Sequence, residues 1–162
     1  MKAEDHLNIS GAAVYRSVQI KHEVVTADPQ EKSVRKILNF GHTIGHAVES
    51  YALSKDKNPL THGEAIAIGM ICEAWLSHKN STLSADELAE VTSYLISRYP
   101  RYQIREKSFG KLIELMQSDK KNEHGHILFS LLERIGQCTF NCRVTENDIR
   151  ESMIYYNSAY VK

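Results

Sequence analysis

RKILNFGHTIGHAVES (residues 35–50), YALSKDKNPL (51–60) and THGEA (61–65) form one continuous stretch that governs the reading of this 162-residue chain. It holds His42, His46 and His62, with Gly41 and Gly45 directly ahead of the first two. His42 and His46 are four apart, which on a helix sets their imidazoles about 40° from one another, on one face. Two readings stand for such a pair: metal ligands or proton-transfer groups, or partly buried histidines bonded to backbone or carboxylate. The spacing lacks the Glu of HExxH. Three neighbours favour chemistry. Gly41 and Gly45 remove bulk where a ligand or another helix must come close. His62 opens a helix whose N-terminal dipole favours an anion or a polarised oxygen. Arg35 and Asn39, seven and three residues before His42, lie near its face if that segment is helical. Arg for a carboxylate or phosphate, Asn for a hydroxyl and His for metal or proton transfer together suit a polyhydroxylated anionic substrate.

Outward from this stretch the pattern is mostly helical. His42 to Ala52 places Ile44, Ala47, Val48 and Tyr51 on one side, and Ser54 to Pro59 reads as a loop. From His62 to Lys79 almost no polar side remains for about three turns, the mark of a helix enclosed by protein. Upstream, residues 9–26 fit an amphipathic helix with Ala13, Val14, Val18, Ile20, Val24 and Val25 as its apolar set, capped by Asn8 or Ser10 and ended by Asp28-Pro29. A second helical start runs from Gln30 to Leu38. Downstream, Ser84 and Glu87 form a capping box ahead of Leu88, Val91, Leu95 and Ile96, Pro100 closes that helix, and 107–117 gives another. The period then changes, and a hairpin is expected near 126–132 and 137–142 around Gly136. Thr145 with Asp148 starts a final helix to Tyr160 that packs Ile149, Met153, Ile154 and Tyr156 inward. The expected fold is mainly α, one helical domain over 1–162 with a small β-hairpin.

The bulk composition narrows the function classes. Twenty basic and twenty acidic residues cancel at a pI near 7.1, so no basic excess exists to neutralise nucleic-acid phosphates or an anionic membrane. No run of about 18 apolar residues occurs, and MKAEDHLNIS lacks a signal-peptide core; a cytoplasmic location is expected. Cys72, Cys138 and Cys142 make an odd set without CxxC spacing and read as reduced thiols; Cys138 and Cys142 fall in an expected strand and make a poor zinc pair. His6, His22, His78, His124 and His126 carry no motif and read as surface residues.

RKILNFGHTIGHAVE followed by THGEAIAIGM closely resembles the C-terminal domain of the 3-dehydroquinate synthases, and IKHEVVTADPQEKSVR and DKKN resemble further segments of that family. The matches run from about residue 18 to 137. The resemblance implies a shikimate-pathway lyase that converts 3-deoxy-D-arabino-heptulosonate 7-phosphate to 3-dehydroquinate and phosphate. It implies NAD, held mainly by an N-terminal domain, and a divalent metal, zinc or cobalt, as Lewis acid. It also implies a homodimeric full-length enzyme. Carried over by motif, His42 and His62 are the metal ligands, and His46 is a proton-transferring histidine rather than a ligand. Lys21, Arg35, Asn39 and Lys121 (with Lys120 as the alternative) contact substrate, and Glu31 belongs to the proton relay.

The chain departs from the family pattern in two places. The family's third ligand, a Glu in an AExxK segment upstream, has no counterpart before residue 18, since AEDH at 3–6 lacks the lysine and the apolar context. No GxGxxG-like turn occurs. The chain is therefore expected to be a fragment or a separately produced C-terminal domain that binds metal weakly and has no synthase activity alone, because catalytic zinc normally takes three protein ligands. Lys32-Ser33 stands where many relatives have Gly. The alternatives are another sugar phosphate cyclase, or a non-catalytic helical module on the same scaffold.

Overall fold

Helix α3 is the axis on which the other elements are laid, and its sequence explains why. In the computed structural model, which describes residues 10–118 and 127–160, the elements run as α1 (Gly11–Ala27), a 3₁₀ helix (Val34–Asn39), α2 (His42–Lys55), α3 (His62–Asn80) and α4 (Ala85–Ile96). A 3₁₀ turn (Glu106–Ser108), α5 (Phe109–Gln117), β1 (Leu128–Arg134), β2 (Gln137–Arg143) and α6 (Glu146–Ala159) complete the chain. Ala65, Ala67, Ile68, Ile71, Cys72, Ala74 and Leu76 leave α3 apolar on every side, and all are buried. Burial all round requires neighbours all round. They are α2, α4, α6 and β1.

Capping decides where these helices begin. Thr61 accepts from the Glu64 amide while Glu64 accepts from the Thr61 amide, a reciprocal box at the start of α3. Ser84 with Glu87 and Thr145 with Asp148 repeat it for α4 and α6, as their sequences imply. The sequence reading missed the box at Thr61. The core fills the space between these helices with Ile44 and Val48 of α2, Leu112 and Met116 of α5, Phe129 and Leu131 of β1, and Ile149, Met153 and Tyr156 of α6. Strands β1 and β2 pair antiparallel around Gly136, which has φ +88°, and lie within two residues of the expected bounds.

Contact between α2 and α3 is the closest in the fold, and it is made by glycine. A Cβ on Gly69 would stand 1.9 Å from the carbonyl oxygen of Gly41 and 2.7 Å from the amide nitrogen of Gly45. One on Gly41, where φ is +83°, would stand 2.4 Å from Cγ of Met70, and one on Gly45 would stand 2.8 Å from Cδ1 of Ile66. Gly41 and Gly45 thus clear the way for a helix, one of the two options open from sequence.

Three expectations are corrected. Residues 30–38 do not start an α-helix. Chain bends at 31–33 lead into the 3₁₀ helix, because Glu31 takes φ +55° and the Asp28 carboxylate gathers the amides of Lys32 (3.1 Å), Ser33 (2.7 Å) and Arg35 (3.1 Å) into a turn. Glu31 sits in this turn, and Lys32 and Ser33 both donate their amides to Asp28. Ile154 does not pack inward; it is half exposed, since Ile149, Met153 and Tyr156 already define the buried stripe and Ile154 falls about 100° past it. Helix α1 forms as expected, with Ser10 accepting from the Ala13 amide, but none of its residues is buried. Val14, Val18 and Ile20 of its apolar set are exposed, and its main contact is with the 3₁₀ helix.

Candidate metal centre

Helices α2 and α3 bring their N-terminal ends together, and with them the three histidines. His42 and His46 lie one turn apart on α2 and His62 is the first residue of α3. Their ring centroids are 5.2 Å (His42–His46), 5.9 Å (His42–His62) and 5.7 Å (His46–His62) apart. One nitrogen from each lies within 4.8 Å of the others. Among the described residues this is the one group of three or more His, Cys, Asp or Glu side chains placed to share an ion. His42 and His46 are both half-buried, and His62 joins them as the third member of the group.

Hydrogen bonds orient two of the rings. Nδ1 of His42 lies 3.2 Å from the Phe40 carbonyl, and Nδ1 of His62 lies 3.2 Å from Oε2 of Glu49. Neither partner can donate, so Nδ1 is the donor in each, and in the neutral ring Nε2 is the nitrogen available to a metal. His62 is the most exposed of the three, with 57% of its side chain accessible. Imidazole nitrogens from two helices, two of them on rings oriented by hydrogen bonds and one side accessible, fit a divalent zinc-type ion.

The carboxylate that builds this corner is Glu73. It is fully buried in the middle of α3, accepting from the Gly41 amide at 2.7 Å and from the Ile44 amide at 3.1 Å. Gly41, the N-cap of α2, has no side chain to cap the helix, so α3 supplies the cap. Because the bound amides flank His42, Glu73 fixes both the start of α2 and the first histidine. Sequence reading passed over Glu73 and Glu49. An acid inside an otherwise apolar helix was the available signal for the first; nothing local distinguishes the second.

The expected substrate residues form a second cluster. Glu31 joins two of them: Nδ2 of Asn39 donates to its Oε1 at 2.9 Å, and Nε of Arg35 lies 3.8 Å from its Oε2. Arg35 also donates from Nη1 to the Pro29 carbonyl at 2.9 Å. The hairpin braces this segment from behind, with the Ser130 hydroxyl donating to the Lys36 carbonyl at 2.7 Å. Lys21 stands exposed on α1, the helix packed on this segment. Lys120 and Lys121, with AEDH, His6, His124 and His126, lie outside the described residues. A small cleft lined by Thr43, His46, Ser50 and Ser118 opens beside His46.

The cysteines take no part. Cys72 is buried in the core, and burial foremost pushes the Cys138 thiol up to about 12 and raises that of Cys142. All three are free thiols, as expected. Among the described residues no helix is long and apolar enough to cross a membrane.

Comparison with known proteins adds relatives to this geometry. The 3-dehydroquinate synthase C-terminal family profile matches residues 2–122. A 3-dehydroquinate synthase of Parabacteroides distasonis is 40% identical over 158 residues, covering 96% of this chain and 44% of that protein. One from Salinibacter ruber is 38% identical over 159 residues, covering 92% of this chain and 42% of that protein. The chain thus spans less than half the length of either. Among solved structures, 2-epi-5-epi-valiolone synthase from Streptomyces hygroscopicus, with NAD⁺ and Zn²⁺ bound, superposes with a TM-score of 0.69 at 25% identity, over 91% of this chain and 41% of that one. A 2-deoxy-scyllo-inosose synthase complexed with carbaglucose-6-phosphate, NAD⁺ and Co²⁺ gives 0.71 at 24% identity, over 94% and 44%, a likeness of fold.

Proposed function

Since the chain belongs to the 3-dehydroquinate synthase C-terminal family, we propose that it is the metal- and substrate-binding part of a 3-dehydroquinate synthase. The reaction is conversion of 3-deoxy-D-arabino-heptulosonate 7-phosphate to 3-dehydroquinate with loss of phosphate. The observation that carries this reading is the meeting of His42, His46 and His62 from two helices, within one nitrogen-to-nitrogen span of 4.8 Å. A divalent zinc-type ion bound there acts as a Lewis acid toward substrate oxygens. His42 and His62 hold it through Nε2, each set by its Nδ1 hydrogen bond. His46, on the same face one turn along, moves a proton to or from the substrate. Arg35 and Asn39 bind the anionic and hydroxyl groups of the substrate, and Glu31 holds both side chains in place and passes a proton on. Lys21 and Lys121 add positive charge for the phosphate. NAD is bound by a domain outside these residues, and none of them is assigned to it.

A second reading is favoured by one observation. His46 stands as close to His62 as His42 does, so His46 can serve as a third histidine ligand beside them. Calorimetric titration with zinc separates the two. If His46 only moves protons, His62→Ala weakens zinc binding at least about tenfold and His46→Ala leaves it near wild type. Equal losses make His46 a ligand. No binding to the wild type, or no difference between wild type and His62→Ala, removes the metal centre and supports a non-catalytic helical module.

A further inference from the structure

The same helix that carries His42 and His46 lines, further along, a cavity of about 590 Å³ against α5 and the segment leading into it. This cavity shares no lining residue with the cleft beside His46. Its floor is apolar, made by Val48, Ile104 and Leu112, all buried. Its lining is also cationic: Lys55, Arg105 and Lys107, all exposed, border it. Among the described residues none of these three side chains makes an ion pair or a hydrogen bond. In a chain whose charges cancel overall, three unpaired cations around one hollow are a local excess.

The one acid on the lining, Asp56, cancels only one of them. Asp56 is engaged by the Tyr102 hydroxyl, which donates to its Oδ2 at 2.9 Å. Burial, and then that carboxylate, push the Tyr102 hydroxyl up to about 12, so it stays a donor and its ring a neutral wall. Tyr51 supplies a second ring. The Ser108 hydroxyl donates to the Arg105 carbonyl, and the 3₁₀ turn at 106–108 runs directly into α5. A charge excess of two, two aromatic walls and an apolar floor in a space of ligand size define one class of occupant.

We propose that this cavity binds a small organic dianion, a phosphate monoester carried on a ring. Arg105 offers the planar fork that suits phosphate, Lys55 and Lys107 add point charges, and the ring stacks between Tyr51 and Tyr102 above Val48 and Leu112. The assignment stands apart from the histidine centre and does not depend on metal.

Phenyl phosphate is the probe, titrated into the ¹⁵N-labelled chain and followed by amide shifts, with inorganic phosphate and phenol as its two halves. Saturable shifts centred on Tyr51, Tyr102 and Lys107 are expected, with each half binding at least about tenfold more weakly. Arg105→Glu with Lys107→Glu, both exposed positions, weakens phenyl phosphate at least about tenfold, and His62→Ala leaves it unchanged. Should circular dichroism find the double variant unfolded, Arg105→Gln alone is read by the same criterion. Shifts that fail to saturate, that survive the charge changes, that centre on His42 and His46, or that inorganic phosphate reproduces at equal affinity overturn the assignment.

Discussion

Glu73 is the residue whose environment departs most from its chemistry. A carboxylate with no solvent exposure costs several kcal/mol to bury, and it is retained only where its acceptors are used. Here both oxygens are taken by amides at the start of α2, where the helix dipole is positive. Glu73→Gln keeps the volume but turns an NH₂ toward one of those amides, two donors facing each other. The loss of that charge-assisted bond outweighs the relief of desolvation, and a destabilisation of about 2 kcal/mol is expected. Urea unfolding measures it. A variant as stable as wild type would mean that Glu73 does not cap α2.

Between elements, the seam of α2 and α3 is set by the absence of side chains. Gly69 meets backbone atoms of Gly41 and Gly45, which cannot turn aside as a flexible side chain can. Gly69→Ala therefore forces the helices apart, with an expected cost of about 3 kcal/mol and weakened zinc binding, since the histidines ride on the two helices. Gly63→Ala, one residue past His62 and with open space around its Cβ position, is the matched control and is expected to be neutral or slightly stabilising. Chemical denaturation of the pair, run side by side, tests the contrast. Equal stabilities would refute the seam.

This scale also separates what could be read in the sequence from what could not. Helix α3 declared itself because a helix apolar all round has one physical explanation. The boxes at Ser84 and Thr145 are local chemistry, and so is the Gly136 turn. His42, His46 and His62 were legible as a group through residue type and spacing. Gly69 was not, because its partners lie on another helix. Residues 30–38 misled because Asp28, read as a helix stop, reaches forward to three amides, a competition that periodicity does not register. Ile154 misled because hydrophobicity marked it while its angle on the helix excluded it.

At the scale of the whole molecule, carboxylates tie distant parts of the chain together. Asp148 and Glu151 both hold Lys79, joining α6 to α3; the Asp148 contact is 2.8 Å. Glu87 accepts from the Ile135 amide at 2.9 Å, joining α4 to the hairpin turn. The Lys79 ammonium foremost holds the Asp148 and Glu151 carboxyls below their ordinary range, and the Ile135 amide foremost does the same for Glu87. A carboxyl depressed in the folded state stabilises fully above its unfolded pKa and loses that contribution as pH falls toward the folded value. With ordinary values of 3.8 for Asp and 4.5 for Glu, urea midpoints are expected to hold from pH 7 to about 5 and to fall below about pH 4. Lys79→Met should flatten the acid limb; an unchanged limb would assign the loss to other groups.

Helix α1 stands apart from this network. Val14, Tyr15, Val18 and Ile20 are exposed in the folded chain, so melting the helix hydrates less apolar surface per residue there than in the core. The heat-capacity increment of unfolding is therefore expected to come mainly from the part of the chain beyond Ala27. The cooperative unit in calorimetry is expected to be shorter than the polypeptide, with α1 at the low-stability end of local unfolding.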